Sequence, residues 1–81
     1  MARVIFASDL QHYTGGLKEA DVAASSYREM LAELARRFPE LSEARLRKYS
    51  LSIDGMIIQK PMLETFGADS ELLFIARIAG G

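Results

Sequence analysis

The amino-acid sequence predicts an α+β domain, a mixed sheet of four to five strands with one main helix packed on one face. Three features carry that expectation. Residues 4–7 and 71–78 are apolar runs near the two ends of the chain, residues 26–38 follow a helical period, and an Asp54-Gly55 pair separates two short strand-like segments. A helix lying between an early hairpin and later strands gives a sheet covered on one side.

Taken in order, Val4, Ile5, Phe6 and Ala7 form a continuous run of strand formers ended by Ser8 and Asp9, the pattern of a strand buried on both faces. Gly15-Gly16 reads as hairpin punctuation, and residues 17–22 alternate weakly between apolar and charged, predicting a second strand paired with the first. From Ser26 the period changes. Tyr27, Met30, Leu31, Leu34, Ala35 and Phe38 fall on one helical face. Ser26 and Glu29 have the spacing of a capping box, and Pro39 disfavours helical geometry at Phe38, so the helix stops there. Residues 41–48 have room for one more helical turn. Tyr49, Leu51 and Ile53 then alternate with Ser50 and Ser52, predicting a strand with one buried and one polar face. Asp54-Gly55 tolerates the positive backbone angles of a tight hairpin turn, so residues 56–58 are its return strand. After Pro61 and a loop ending near Gly67, residues 71–78 are apolar except at their ends and at Arg77, as expected for a central, buried strand. Placing the first and last strands side by side in the middle makes them parallel, which is the β-grasp or ubiquitin-like roll. Periodicity alone also allows other α+β folds.

At 81 residues the chain holds one core, read as a single domain over residues 1–78 with a flexible tail over residues 79–81. Lysine and arginine number 10 against 11 acidic residues, so no strong overall field draws nucleic acid or an anionic membrane. The lack of cysteine excludes a disulfide framework, a thiolate zinc site and any side-chain thiol nucleophile. The apolar stretch after Met1 is too short for a signal-peptide core, and no run approaches the roughly 20 residues that span a bilayer. A soluble, cytoplasmic chain without nucleic-acid or membrane partners is the expectation.

The usual constellations of catalysis are missing. His12 is the sole histidine, which leaves neither a histidine metal site nor a histidine pair, and Gly15-Gly16 lacks the lysine and spacing of a phosphate-binding loop. Glu64, Asp69 and Glu71 read as a solvated loop. Arg36, Arg37, Arg45, Arg47 and Lys48 follow the helix end, where cations match the helix dipole, and could also gather to meet an acidic partner. No metal and no bound cofactor is expected.

Chemistry is left to the terminus, Ile78-Ala79-Gly80-Gly81. With glycine at about 7% of residues, two terminal glycines arise by chance in roughly one chain in 200. Glycine has no Cβ, so such a tail can thread a narrow channel and an enzyme can approach its last carbonyl. A free α-carboxyl, with a reference pKa of about 3.3–3.7, is an anion at neutral pH and a poor acyl electrophile. It needs activation: adenylation by an ATP-using partner supplies a leaving group, and a sulfur donor then converts the acyl group to a thiocarboxylate. The pair by itself is equally compatible with a frayed glycine end of no function.

Val4-Ile5-Phe6-Ala7, the helix with its Arg36-Arg37-Phe38-Pro39 ending, Ile53-Asp54-Gly55, and Glu71-Leu72-Leu73-Phe74 through Ile78-Ala79-Gly80-Gly81 together carry a resemblance over nearly the whole chain. It resembles the small, sulfur-carrying subunit of molybdopterin synthase and the related thiamine-pathway carrier, the MoaD/ThiS group. The resemblance implies a β-grasp fold and a carrier that is a co-substrate or small synthase subunit, not an enzyme on its own. It implies that a ubiquitin-activating-like enzyme adenylates Gly81 with ATP, that Gly81 becomes a thiocarboxylate, and that the tail, with Gly80, enters a synthase large subunit. Ile57 and Ile75 match apolar family positions that face these partners, and Phe74, Arg77, Ile78 and Ala79 join them as expected contacts. Ala76 and Arg77 stand where the molybdopterin subunit often has two prolines, as in thiamine-type carriers, whereas the residue 39–48 connection favours the molybdopterin side. Three functions follow: a sulfur carrier, most directly for molybdopterin synthesis and alternatively for a thiamine-type or other pathway; a modifier whose Gly81 forms isopeptide bonds with lysines; and a plain β-grasp binding module.

Overall fold

The computed structural model describes residues 1–77. In chain order these form β1 (Ala2–Ile5), β2 (Glu19–Val22), α1 (Tyr27–Arg37), α2 (Glu43–Leu46), β3 (Tyr49–Ile53), β4 (Met56–Ile58) and β5 (Glu71–Ala76), with a 3-10 turn at Leu10–Tyr13. The strands make one sheet in the order β2-β1-β5-β3-β4. β5 lies parallel to β1, with Val4 opposite Leu72, and antiparallel to β3, with Leu51 opposite Phe74. The first and last strands are therefore central neighbours, as expected.

The expectation that β1 is buried on both faces needs correction. Ala2, Val4 and Phe6 are buried, whereas Arg3 is exposed and Ile5 only half-buried. The same alternation runs along β5, where Leu72 and Phe74 are buried and Leu73 and Ile75 half-buried. Side chains of successive strand residues point to opposite faces, and the buried set shares its core with Tyr27, Met30, Leu31 and Leu34 of α1. The helix covers one face only. An unbroken apolar run here marks one dry face and one that is partly open.

α1 begins and ends where its sequence predicts. The Ser26 hydroxyl accepts from the Glu29 N–H at 3.2 Å, and the Phe38 N–H closes the last turn on Leu34. The Glu29 carboxylate reaches one residue further back than a capping box requires, accepting from the Ser25 N–H at 3.3 Å. That backbone bond, helped by the Ser26 and Ser25 hydroxyls, holds its carboxyl below the usual range. One turn on, Glu33 accepts from the Ala23 and Ala24 N–H groups and pairs with Arg37, which donates to the Asp21 carbonyl. These bonds fasten the helix to the end of β2.

The connection from β1 to β2 is longer than glycine punctuation suggests. Its 3-10 turn buries Leu10 completely, and Gly15 and Gly16 (φ +68° and +92°) end that turn before Phe6 donates back to the Lys18 carbonyl. Tyr49 donates to the Asp9 carboxylate and packs edge-on against Phe74 at 6.4 Å. Burial, then the Asp9 charge and hydrogen bond, push the Tyr49 hydroxyl up to about 12.

Asp54 (φ +50°) and Gly55 (φ +89°) make the expected tight turn. Asp54 also ties that turn to the start of β5, since its N–H donates to the Glu71 carbonyl at 2.9 Å and its Oδ1 accepts from the Glu71 N–H at 2.8 Å. The Glu71 bond, with Ser70, holds the Asp54 carboxyl below the usual aspartate range.

Two outcomes follow for stability. Leu34→Ala, at a fully buried helix position, should cost about 2–5 kcal/mol in chemical denaturation. Because the Asp54 carboxyl titrates lower when folded, its contribution is fully present above the ordinary carboxylate value and is lost as pH falls through the folded one. The melting temperature of wild type should therefore fall relative to Asp54→Asn as pH drops below about 3.8, and parallel curves would refute that role.

Candidate functional site

The sheet face that α1 leaves open is built by register. Ile5 lies opposite Leu73, Leu73 opposite Ser52, Ser52 opposite Ile57, and Ser50 opposite Ile75. Directly paired residues share a face, so Ile5, Leu73, Ile75 and Ile57 form one aliphatic surface with the two serines between them. Ile57, on edge strand β4, is 58% exposed, and the other three are half-buried. Arg3 and Glu19, 3.9 Å apart and both exposed, edge this face with Asp21 and Glu71.

The serines correct a second expectation. Ser50 and Ser52 are only 2% and 8% accessible, so the outer side of β3 is not a solvated polar face. Their short side chains sit low among taller aliphatic neighbours, and the Ser50 hydroxyl is satisfied by the Gln59 carbonyl at 3.2 Å. What the face presents is hydrocarbon over a hydrogen-bonded floor. Interface centres have this character, apolar and desolvated within a polar rim.

Of the residues expected to contact partners, Ile57 and Ile75 come together on this open face. Phe74 does not. It points into the core at 1% exposure, on the helix side of β5, and is a structural residue. Register explains the difference, because Phe74 pairs with buried Leu51 whereas its neighbours Leu73 and Ile75 pair with the serines. Ile5 and Leu73 were missed as surface residues, though alternation from Val4 and Leu72 places them outside once a single covering helix is assumed.

β5 runs out at Ala76, beyond which exposed Arg77 donates from Nη2 to the Arg47 carbonyl at 3.2 Å. The expected contacts Ile78 and Ala79, the chemistry expected at Gly80 and Gly81, and the tail over residues 79–81 lie outside the described residues. Three cations of the expected cluster are engaged separately. Arg37 holds Asp21 and Glu33, Arg45 stacks 4.1 Å over Tyr13, and Arg47 pairs with Glu43 at 3.6 Å. His12 sits exposed on the 3-10 turn. Among the described residues no three histidine, aspartate or glutamate side chains gather as metal ligands, and no helix is long and apolar enough to cross a membrane.

No family model and no curated protein sequence matches the chain. The solved structure of SAMP1 from Haloferax volcanii matches it with a TM-score of 0.69, over 99% of this chain and 98% of that one, at 20% identity. The fold is the ubiquitin-like β-grasp. The sheet order and single main helix of this β-grasp account for the described residues.

The two faces of the β-grasp sheet should respond oppositely to substitution. Ile57→Ser should change stability by no more than about 0.5 kcal/mol, as for an exposed side chain, whereas Phe74→Ala should cost about 3–5 kcal/mol. Urea unfolding of both variants checks the assignment of these two residues to surface and core.

Proposed function

We propose that this protein is a ubiquitin-like sulfur carrier whose working group is the carboxylate of Gly81. The observation that carries the reading is that the sequence runs from β5, the central strand with Leu73 and Ile75 on an open aliphatic sheet face, through Arg77 to Ile78-Ala79-Gly80-Gly81. A rigid body would thus present a glycine end together with a docking surface. The β-grasp likeness supports the same reading through fold.

In this mechanism a ubiquitin-activating-like enzyme binds the open face through Ile57 and Ile75 and brings Gly81 to ATP. The carboxylate oxygen attacks the α-phosphorus, pyrophosphate leaves, and an acyl-adenylate forms. Hydrosulfide, supplied by a sulfur donor, then attacks the acyl carbon, AMP leaves with the C–O bond broken, and a thiocarboxylate remains on Gly81. ATP belongs to the partner enzyme, and the carrier holds no cofactor of its own. Gly80 keeps the approach narrow, and Arg77, Ile78 and Ala79 line the path into the partner. Delivery of the sulfur to a synthase large subunit in the cytoplasm completes the proposal, with molybdopterin synthesis as the first pathway to test.

Intact mass spectrometry after incubation with an activating enzyme of this type, ATP and a sulfur source tests the reading. The expected product has one sulfur in place of one oxygen, localised to Gly81 by fragmentation. A covalent adduct on a lysine-bearing target, with no thiocarboxylate, would instead make the chain a protein modifier. Deleting Gly81 should abolish either reaction and leave the melting temperature unchanged, since the terminus follows the last core strand; no mass change in wild type, with partner binding unaffected by the deletion, would favour a plain binding module.

A further inference from the structure

A second exposed apolar spot lies away from the open sheet face. Met62 and Leu63 are 66% and 73% exposed, and with Arg28 of α1 and Arg47 after α2 they line a cleft of about 310 Å³. The loop that displays them is fixed close by. Pro61 is buried, the Met62 N–H donates to the Glu64 carboxylate, the Tyr27 N–H donates to the Glu64 carbonyl, and the Phe66 N–H donates to the Ser25 carbonyl. Large apolar side chains held on an anchored loop lose little freedom when covered, so more of the contact appears as affinity.

The charges around them have one sign to spare. Arg28 makes no ion pair with a described residue, while Arg47 is matched by Glu43. Glu64, the other acid close by, accepts from the Met62 N–H and makes no ion pair with Arg28. The cleft thus offers a guanidinium with no salt-bridge partner among the described residues beside two apolar side chains, and a guanidinium fork fits a carboxylate. Arg77 donates to the carbonyl of Arg47, so the cleft adjoins the end of β5.

We propose that this cleft docks an acidic and aliphatic segment of a protein partner, one carboxylate pairing with Arg28 while flanking aliphatic side chains cover Met62 and Leu63. An enzyme that draws in the chain beyond Arg77 passes this cleft, so the segment belongs to the activating enzyme; that assignment rests on the sulfur-carrier reading. The cleft works as a second handle, distinct from Ile57 and Ile75, and selects partners by charge.

Two measurements on the full-length chain test it. In an NMR titration with acetyl-Leu-Asp-Glu-Leu-amide, the Met62 and Leu63 methyl signals and the Arg28 side-chain signal should move. The Asn-Gln isostere should leave them in place, as should Arg28→Glu with the original peptide. With the activating enzyme, Arg28→Glu should raise KM by about fivefold at unchanged kcat, the scale of one exposed ion pair, and Arg28→Lys should recover most of it. Adenylation with the same KM in wild type and Arg28→Glu overturns the proposal and leaves the carrier reading standing. No adenylation of wild type sinks the carrier reading, and the titration alone then decides the cleft. If the peptide moves nothing, or if the free-state signals shift with protein concentration or on deletion of residues 78–81, the occupant is no acidic partner and the proposal falls.

Discussion

The parallel pairing of β1 with β5 is the constraint on which the rest of this molecule depends. Two parallel neighbours cannot be joined by a tight turn and require a crossover, so everything between Ile5 and Glu71 must leave the sheet's centre and return to it. The chain does this by adding β2 outside β1, crossing on α1, and adding β3 and β4 outside β5. The helix must then lie on one face of the central pair. Val4 and Leu72, opposite each other in the register, meet Leu31 and Leu34 in a shared core.

The same economy explains the open face. One helix covers one side of five strands, and among the described residues no second element covers the other. Burial on the second side is supplied only by side chains lying against one another, which suffices for the short serines of β3 but leaves Ile57 standing clear. An apolar surface of this kind costs solubility unless it has a use, and the proposed docking role gives it one. The second surface, at Arg28, Met62 and Leu63, arises differently, from a loop whose own backbone bonds to the helix start.

Much of this architecture was legible in the sequence wherever a local rule governs. The Ser26 cap, the six-residue helical stripe and the Asp54-Gly55 turn depend on neighbours in the chain, and each is found where it was expected. What escaped depends on partners far along the chain. Leu10 sits in a polar-looking connection yet is fully buried, because the 3-10 turn folds it under the sheet end. Ser50 and Ser52 look solvated until their neighbours on β4 and β5 are known. Phe74 stood among the contacts expected from the resemblance, and only register shows which residues of this largely apolar strand face inward. Arg28, Met62 and Leu63 are unremarkable in sequence and are joined only by the way loop 59–70 is tied to the start of α1.

The side-by-side placement of the two terminal strands also decides how the domain bears load. β1 starts the fold, β5 ends it, and they run in the same direction, so the leading end of one and the trailing end of the other lie at opposite ends of their shared ladder. Tension drawn between the two chain ends therefore acts along the strands and strains their mutual hydrogen bonds together, in shear. It cannot peel them open one at a time, as it would in a hairpin. A machine that pulls this protein from its C-terminal end against a held N-terminus must shear this seam as a unit.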